Sequence, residues 1–237
     1  VSYRTIVVSP HFDDAALSVA GLLDALPRPA VFVTVFGGAP HADRAPSAWD
    51  RLCGFTSAAE AARERRAEDA RACELLGVGQ LVLDNPDAPA NGVRLAGLAE
   101  FLTTHAGAAT RVLIPMGIGN ADHAVVRDQS LQALAAAGLP APWIYADLPY
   151  ASVVPQWGTE AAARALAEHP RAGAPIRALT CSIAPCRTPL VKGEVWVAKR
   201  RAVLAYASQL APLATDFGEV LAVPGPLTHE LVWAARF

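Results

Sequence analysis

The 237-residue sequence predicts an α/β protein: a Rossmann-like, doubly wound, mostly parallel sheet with helices on both faces and a less regular C-terminal part. Two observations carry this expectation. Short β-branched apolar runs alternate with helical apolar stripes over most of the chain, the pattern of successive strand–helix–strand units. Hydrophobic residues make up 53% of the sequence and charged residues 18%, enough apolar surface to cover a sheet buried on both faces. The length suits one such domain over residues 1–237.

Thr5-Ile6-Val7-Val8 is a β-branched run suited to a fully buried first strand. Ala16, Leu17, Val19, Ala20, Leu22, Leu23 and Leu26 follow as a helical apolar stripe, with Asp13 or Asp14 at the helix start. Residues 30–36 read as a second buried strand, closed by Gly37-Gly38. Residues 39–56, rich in Ala, Pro and Asp, make a loop long enough to be the rim or lid of a site. A helix is expected over 57–76, stopped by Gly77, then a third strand at 81–83 and a turn-like Asp84-Asn85-Pro86-Asp87. The next helix covers 93–104, and the fourth strand 111–115. A glycine-containing loop, 116–122, leads into a helix beginning near His123. Residues 143–146 form the fifth strand. From 147 to 189 Pro and Ala interrupt the pattern, leaving one helical piece at 159–168; a long helix over 192–209 and a strand-like segment at 228–237 complete the chain.

Several function classes are disfavoured. A formal charge of −2 leaves no electrostatic footprint for nucleic acid. No run of 18 uncharged apolar residues and no basic N-region with an apolar block occurs, so the expectation is a cytoplasmic protein without a membrane span. Cys53, Cys73, Cys181 and Cys186 form no C-x-x-C pair; Cys73 falls in a helical pattern as a small core residue, and a Cys181–Cys186 disulfide is unneeded at this size. The first strand–helix turn lacks the glycine fingerprint of a dinucleotide site, and two Asp there would oppose a pyrophosphate.

That turn, Ser9-Pro10-His11-Phe12-Asp13-Asp14-Ala15, packs one His and two Asp into four positions at the carboxyl end of the first strand. Helix capping accounts for one Asp at most. In a doubly wound sheet strands one and four lie side by side, and ligands bind between their carboxyl ends. The loop with His11 and Asp14 then meets the loop with Asn120, Asp122 and His123, more than a hundred residues away. His11, Asp14 and His123 would supply two nitrogens and one carboxylate to a Zn2+ ion, leaving a position open for water; Fe2+ could occupy the same ligands. Asp13, beside the metal, is the natural general base.

These residues resemble the LmbE/PIG-L deacetylases, zinc enzymes that hydrolyse the N-acetyl group of N-acetylglucosaminyl compounds. Pro10-His11-Phe12-Asp13-Asp14 is similar to the family's His-Pro-Asp-Asp motif, and Asn120-Ala121-Asp122-His123 to its His-x-Asp-His motif. The similarity continues through Arg65-Arg66-Ala67-Glu68, Leu76-Gly77-Val78, residues 145–150 and Ala205-Tyr206-Ala207-Ser208-Gln209. The resemblance implies His11, Asp14 and His123 as zinc ligands and Asp13 as the base. Its departures are Ala15, where many members carry Glu, and Asn120, where a His oriented by the neighbouring Asp normally assists the tetrahedral intermediate. Asn can donate a hydrogen bond to an oxyanion but no proton at neutral pH. Two expectations follow: a deacetylase in which Asp13 moves both protons, or an impaired metal- or sugar-binding relative.

On the substrate side the resemblance makes Arg65 a candidate for holding sugar hydroxyls or a phosphate and Asp87 a candidate for bidentate hydroxyl contact, the former set against a solvated helix face on which Arg65 and Asp69 pair at i,i+4. Tyr145, Asp147 and Tyr150 follow the fifth strand and could line the crevice. His229 and Glu230 either approach the site or mark an exposed strand end. His41, His105 and His169 read as surface residues, and Trp49, Trp157, Trp196 and Trp233 as core residues with a sugar-covering role as the alternative. The expected partner is a small aminosugar conjugate, with homo-oligomerisation left open.

Overall fold

The computed structural model describes residues 2–40, 44–87, 93–186, 188, 190–218 and 220–237. His41 falls outside them. Strands β1 (Thr5–Ser9), β2 (Ala30–Thr34), β3 (Gly79–Val82), β4 (Arg111–Pro115), β5 (Trp143–Tyr145), β6 (Ser182–Cys186) and β7 (Val232–Arg236) form one seven-stranded sheet in the order β3-β2-β1-β4-β5-β7-β6. The first five are parallel, and β7 and β6 add antiparallel at one edge. Helices α1 (Asp14–Val19), α2 (Ala48–Leu52), α3 (Ala58–Leu76), α4 (Leu98–His105), α5 (Ala121–Ala136), α6 (Ala162–Glu168), α7 (Ala174–Arg177), α8 (Gly193–Leu204) and α9 (Ala207–Phe217) complete the described secondary structure with three short 3-10 turns.

Alternation along the strands divides the core in two, because successive side chains point to opposite faces. Ile6 and Val8 of β1 join Val31, Val33, Val112 and Ile114 in one cluster. Val7 joins Phe32, Leu113 and the α1 residues Ala15, Ala16 and Val19 in the other. Thr5 to Ser9 are all buried, which is why the β1 sequence is continuously apolar rather than alternating. The strand order reverses between β1 and β4, so their carboxyl ends open a crevice.

The structure departs from the sequence pattern where tertiary contacts break a helix. The stripe through Leu26 is α-helical to Val19 and continues as a 3-10 turn over Leu22–Ala25. Gly21, between them, keeps helical dihedrals (φ −71°, ψ −29°), but its N–H donates to Glu230 Oε1 at 2.7 Å, and a Cβ there would stand 2.5 Å from Val191 Cγ2. The single helix expected over 192–209 is two, α8 and α9. Tyr206, between them, is buried and donates its hydroxyl to Asp69 Oδ1 at 2.7 Å. Strand β6 was not legible: its residues are mostly exposed and include Pro185, which suits an edge strand. All four cysteines are free.

Glu230 is not an exposed strand end. Its Oε1 also accepts from Lys199 Nζ at 2.7 Å, both side chains being buried, which ties α8 and the start of β7 to the end of α1. Breaking a buried pair from one side leaves an uncompensated charge. Lys199→Met should therefore cost about 3–5 kcal/mol in denaturant unfolding, and adding Glu230→Gln should recover part of that loss in a double-mutant cycle.

Candidate metal centre

The tight turn after β1 is built by its own side chains. Ser9 Oγ donates to the His11 carbonyl at 2.6 Å and accepts from the Ala15 N–H at 3.0 Å. Asp14 Oδ2 accepts from the His11 backbone N–H at 2.8 Å and stands 3.2 Å from His11 Nδ1. Asp13 occupies the N-cap position of α1 but makes no side-chain capping bond. Capping therefore does not explain it, and its carboxylate lines the cavity instead.

The second loop comes from β4. Asn120 caps α5, its Oδ1 accepting from the Asp122 N–H at 2.9 Å, so the helix begins at Ala121 and His123 sits in its first turn. His123 is fully buried. Its Nδ1 pairs with Asp147 Oδ1 at 2.8 Å, while Asp147 Oδ2 accepts from the Ile118 N–H at 2.7 Å. One buried carboxylate thus fixes both the imidazole and the loop leading to it. The opposite ring nitrogen, Nε2, lies 3.1 Å from Asp14 Oδ2 and is a buried atom without a hydrogen-bond partner. His11 is backed in the same way, its Nε2 facing Asp122 Oδ2 at 3.3 Å.

His11, Asp14 and His123 each offer one ligand atom, and these atoms all lie within 4.8 Å of one another. The set fits a divalent cation on three counts. Two imidazoles and a carboxylate are the donors that Zn2+ or Fe2+ takes. Each imidazole has a carboxylate behind it, the arrangement that fixes tautomer and ring orientation in metal sites. The orphaned Nε2 of His123 is the atom a metal would occupy.

The electrostatics agree. Four carboxylates, of Asp13, Asp14, Asp122 and Asp147, surround two imidazoles. Burial disfavours a charged His123, yet Asp14 and Asp147 raise its pKa to about 9. Burial likewise disfavours a charged His11, and Asp122 and Asp14 raise it well above its ordinary value. The two adjacent carboxyls are driven apart. Burial, then the Asp14 charge, pushes Asp13 up to about 6 against the pull of His11. Burial acts on Asp14 too, but His123 and His11 outweigh it and hold that carboxyl far below the usual range.

A cavity of about 530 Å³ opens over this cluster. Asp13, Asn120, Asp122, Arg65, Asp87 and Tyr150 all line it. Tyr145 does not: it is fully buried, and its hydroxyl donates to the Val8 carbonyl at 2.8 Å, so it ties β5 to β1 and is withdrawn as a substrate contact. Arg65 is turned inward rather than solvated. Its Nη2 pairs with Asp50 Oδ1 at 2.7 Å, not with Asp69, which is buried against Tyr206 and Gln80. His229 packs beside Gly158 and Thr228 and is not among the residues lining the cavity. Trp157, Trp196 and Trp233 pack in the core, but Trp49 lines the cavity. His105 packs tilted against Phe101 at the end of α4, and His169 accepts from the Ala172 N–H; both are half-buried. The roles of Asp147 and Asp50 were not anticipated. The adjacency of β4 and β5 signals the first, since it puts residue 147 beside the loop before α5; nothing local signals the second.

Fold and site together define an α/β protein carrying a His–Asp–His cluster of metal-ligand spacing at the switch point of a mostly parallel sheet. The chain belongs to the PIG-L family, described as GlcNAc-PI de-N-acetylase, whose pattern matches residues 6–134. It is 36% identical over 171 residues to a 2'-N-acetylparomamine deacetylase of Streptomyces fradiae; the match takes in 62% of this chain and 58% of that protein's own length. Among solved structures it resembles the A40926 pseudoaglycone deacetylase Dbv21, with a TM-score of 0.72, 25% identity and coverage of 100% of this chain and 98% of that one. The zinc-inhibited form of teicoplanin deacetylase Orf2 shares the fold, with a TM-score of 0.74 at 22% identity over 98% of both chains. No described helix is long and apolar enough to cross a membrane.

Removing the support behind a metal-bound His typically weakens metal affinity about 10–100-fold. Asp147→Ala is expected to lower Zn2+ affinity by that factor in a chelator competition, and unchanged affinity would remove Asp147 from this role.

Proposed function

We propose that this protein is a metal-dependent deacetylase, hydrolysing the N-acetyl amide of a small aminosugar-containing molecule. The observation that carries the reading is the His11, Asp14, His123 set, two of whose members line the cavity, with one further cavity-lining residue, Asp13, left out of it. The family and the named activities of its relatives support the same reaction.

His11, Asp14 and His123 would hold Zn2+ or Fe2+, which when bound polarises a carbonyl and lowers the pKa of water to about 7. Asp14 stays ionised and keeps its place between the imidazoles. Asp147 and Asp122 orient His123 and His11. Asp13 takes the proton of the attacking water; burial and the neighbouring Asp14 charge make it a stronger base than an ordinary carboxylate. The new C–O bond sends the carbonyl electron pair onto oxygen. Asn120, whose Oδ1 is engaged by the helix and whose side chain also bonds Tyr150, would donate an amide N–H to that oxyanion. As the C–N bond breaks, Asp13 returns its proton to the departing nitrogen, leaving acetate and a free amine. One carboxyl then performs both transfers, which removes the need for an imidazole at position 120. The alternative of an impaired relative finds no support in the curated relative and the structures named above, which are deacetylases. Arg65 and Asp87, which line the cavity, would meet the sugar hydroxyls.

Asp13→Asn keeps the shape of the turn and removes the base. Acetate release from a panel of N-acetylated aminosugars should fall by about 10²–10⁴-fold with bound metal unchanged. Turnover within tenfold of the unaltered protein would refute the assignment.

A further inference from the structure

We propose that Trp49 is the platform on which the carbohydrate ring of the substrate stacks, and that Gln209, Ser208 and Glu68 are positioning residues that hold its indole in place. The deacetylase reading enters only in choosing an N-acetylated aminosugar as ligand.

Helix α2 is five residues long, too short to persist alone. It is nevertheless pinned at successive residues to different parts of the protein. Ser47 and Asp50 close a capping box, with Asp50 Oδ2 accepting from the Ser47 N–H at 2.7 Å and Ser47 Oγ from the Asp50 N–H at 3.0 Å. The other oxygen of Asp50 binds Arg65 of α3. Trp49 reaches the opposite way, its Nε1–H donating to Gln209 Oε1 of α9 at 2.7 Å. Gln209 Nε2 donates to Ser208 Oγ, the Ser208 hydroxyl to Glu68 Oε2 and the Ser208 N–H to Glu68 Oε1, each at 2.7 Å. Gln209 and Glu68 are buried. Each group in this relay can make its bond only with its neighbour in the stated sense, so the amide of Gln209 is locked with its oxygen toward the indole.

A tryptophan needed for packing alone requires no such chain. Trp49 is half-buried, packs in part against the core and lines the cavity, as do the small residues Ala58 and Ala61 of α3. An indole offers a broad apolar face with a single polar handle. Here the handle is consumed by Gln209, leaving the ring for an apolar surface. A pyranose, with C–H bonds on its faces and hydroxyls at its edge, presents that surface while the carboxylates and Arg65 around the mouth take the hydroxyls. Fixing the indole beforehand reduces the ordering cost of binding. The relay also gives a use to Ser208-Gln209, a motif without a role in the chemistry.

The test uses the full chain loaded with Zn2+ and carrying Asp13→Asn, so that the amide survives a titration. The probes are N-acetylglucosamine, N-acetylgalactosamine and methyl N-acetylglucosaminide. Binding should change tryptophan emission, and Trp49→Phe should remove that change. Trp49→Ala should raise Kd about tenfold and Gln209→Leu about three- to tenfold, in line with one lost aromatic contact. With Asp13 intact, the same two substitutions should raise KM by similar factors and leave kcat within about twofold. Unchanged Kd in both variants, a loss confined to kcat, or no emission change with any probe would overturn the proposal. Sugar binding that perturbs Trp49 without any acetate release by the unaltered protein would refute the hydrolysis and leave the platform standing.

Discussion

Four carboxylates drawn together at the ends of β1, β4 and β5 are the constraint on which this structure depends. Charge of one sign in a partly buried site is tolerated only when neighbouring dipoles and cations compensate it. The backbone supplies part of that compensation through the His11 N–H on Asp14 and the Ile118 N–H on Asp147. The imidazoles of His11 and His123 supply more, and a divalent cation would complete it. The fold is arranged around this need: the loops that carry the carboxylates are short, clamped by side chains such as Ser9 and Asn120, and seated on strands with almost no exposed surface.

The same arrangement separates two neighbouring aspartates into different chemical species. Asp14 lies between two imidazoles and is held ionised, whereas Asp13, one residue earlier, turns into the cavity and is pushed toward neutrality by burial and by Asp14 itself. Pairs of acids whose environments drive their pKa values apart are the usual basis for dividing ligand and proton-transfer roles. The division follows from the α1 start, which points consecutive side chains in different directions; residue type alone cannot produce it.

The rim obeys a different rule. Helix α2 contributes almost no stability of its own, so its position is set by polar contacts to α3 and α9, elements well separated in the chain. Arg65 illustrates the consequence. On helical spacing it pairs with Asp69, but Asp69 is taken by Tyr206 and Gln80, and Arg65 turns to Asp50. Buried polar groups choose partners by enclosure, not by distance along the sequence.

Apolar period and turn chemistry made the five parallel strands, α3 and the clustering of His11, Asp14 and His123 legible, because each depends on local pattern plus one topological rule, the adjacency of the first and fourth strands. Where an α-helix passes into a 3-10 turn, as around Gly21, or is divided, as at Tyr206, and where an edge strand carries no apolar run, as in β6, the deciding contacts are distant. The same is true of Tyr145, sent into the core by a hydroxyl bond to Val8, and of Asp147, whose partner is an imidazole 24 positions away. Sequence alone thus determined which residues could carry the chemistry. Only the tertiary structure decided which of them face the cavity and which stand behind, because orientation is settled by packing and hydrogen-bond closure between segments that the sequence keeps apart.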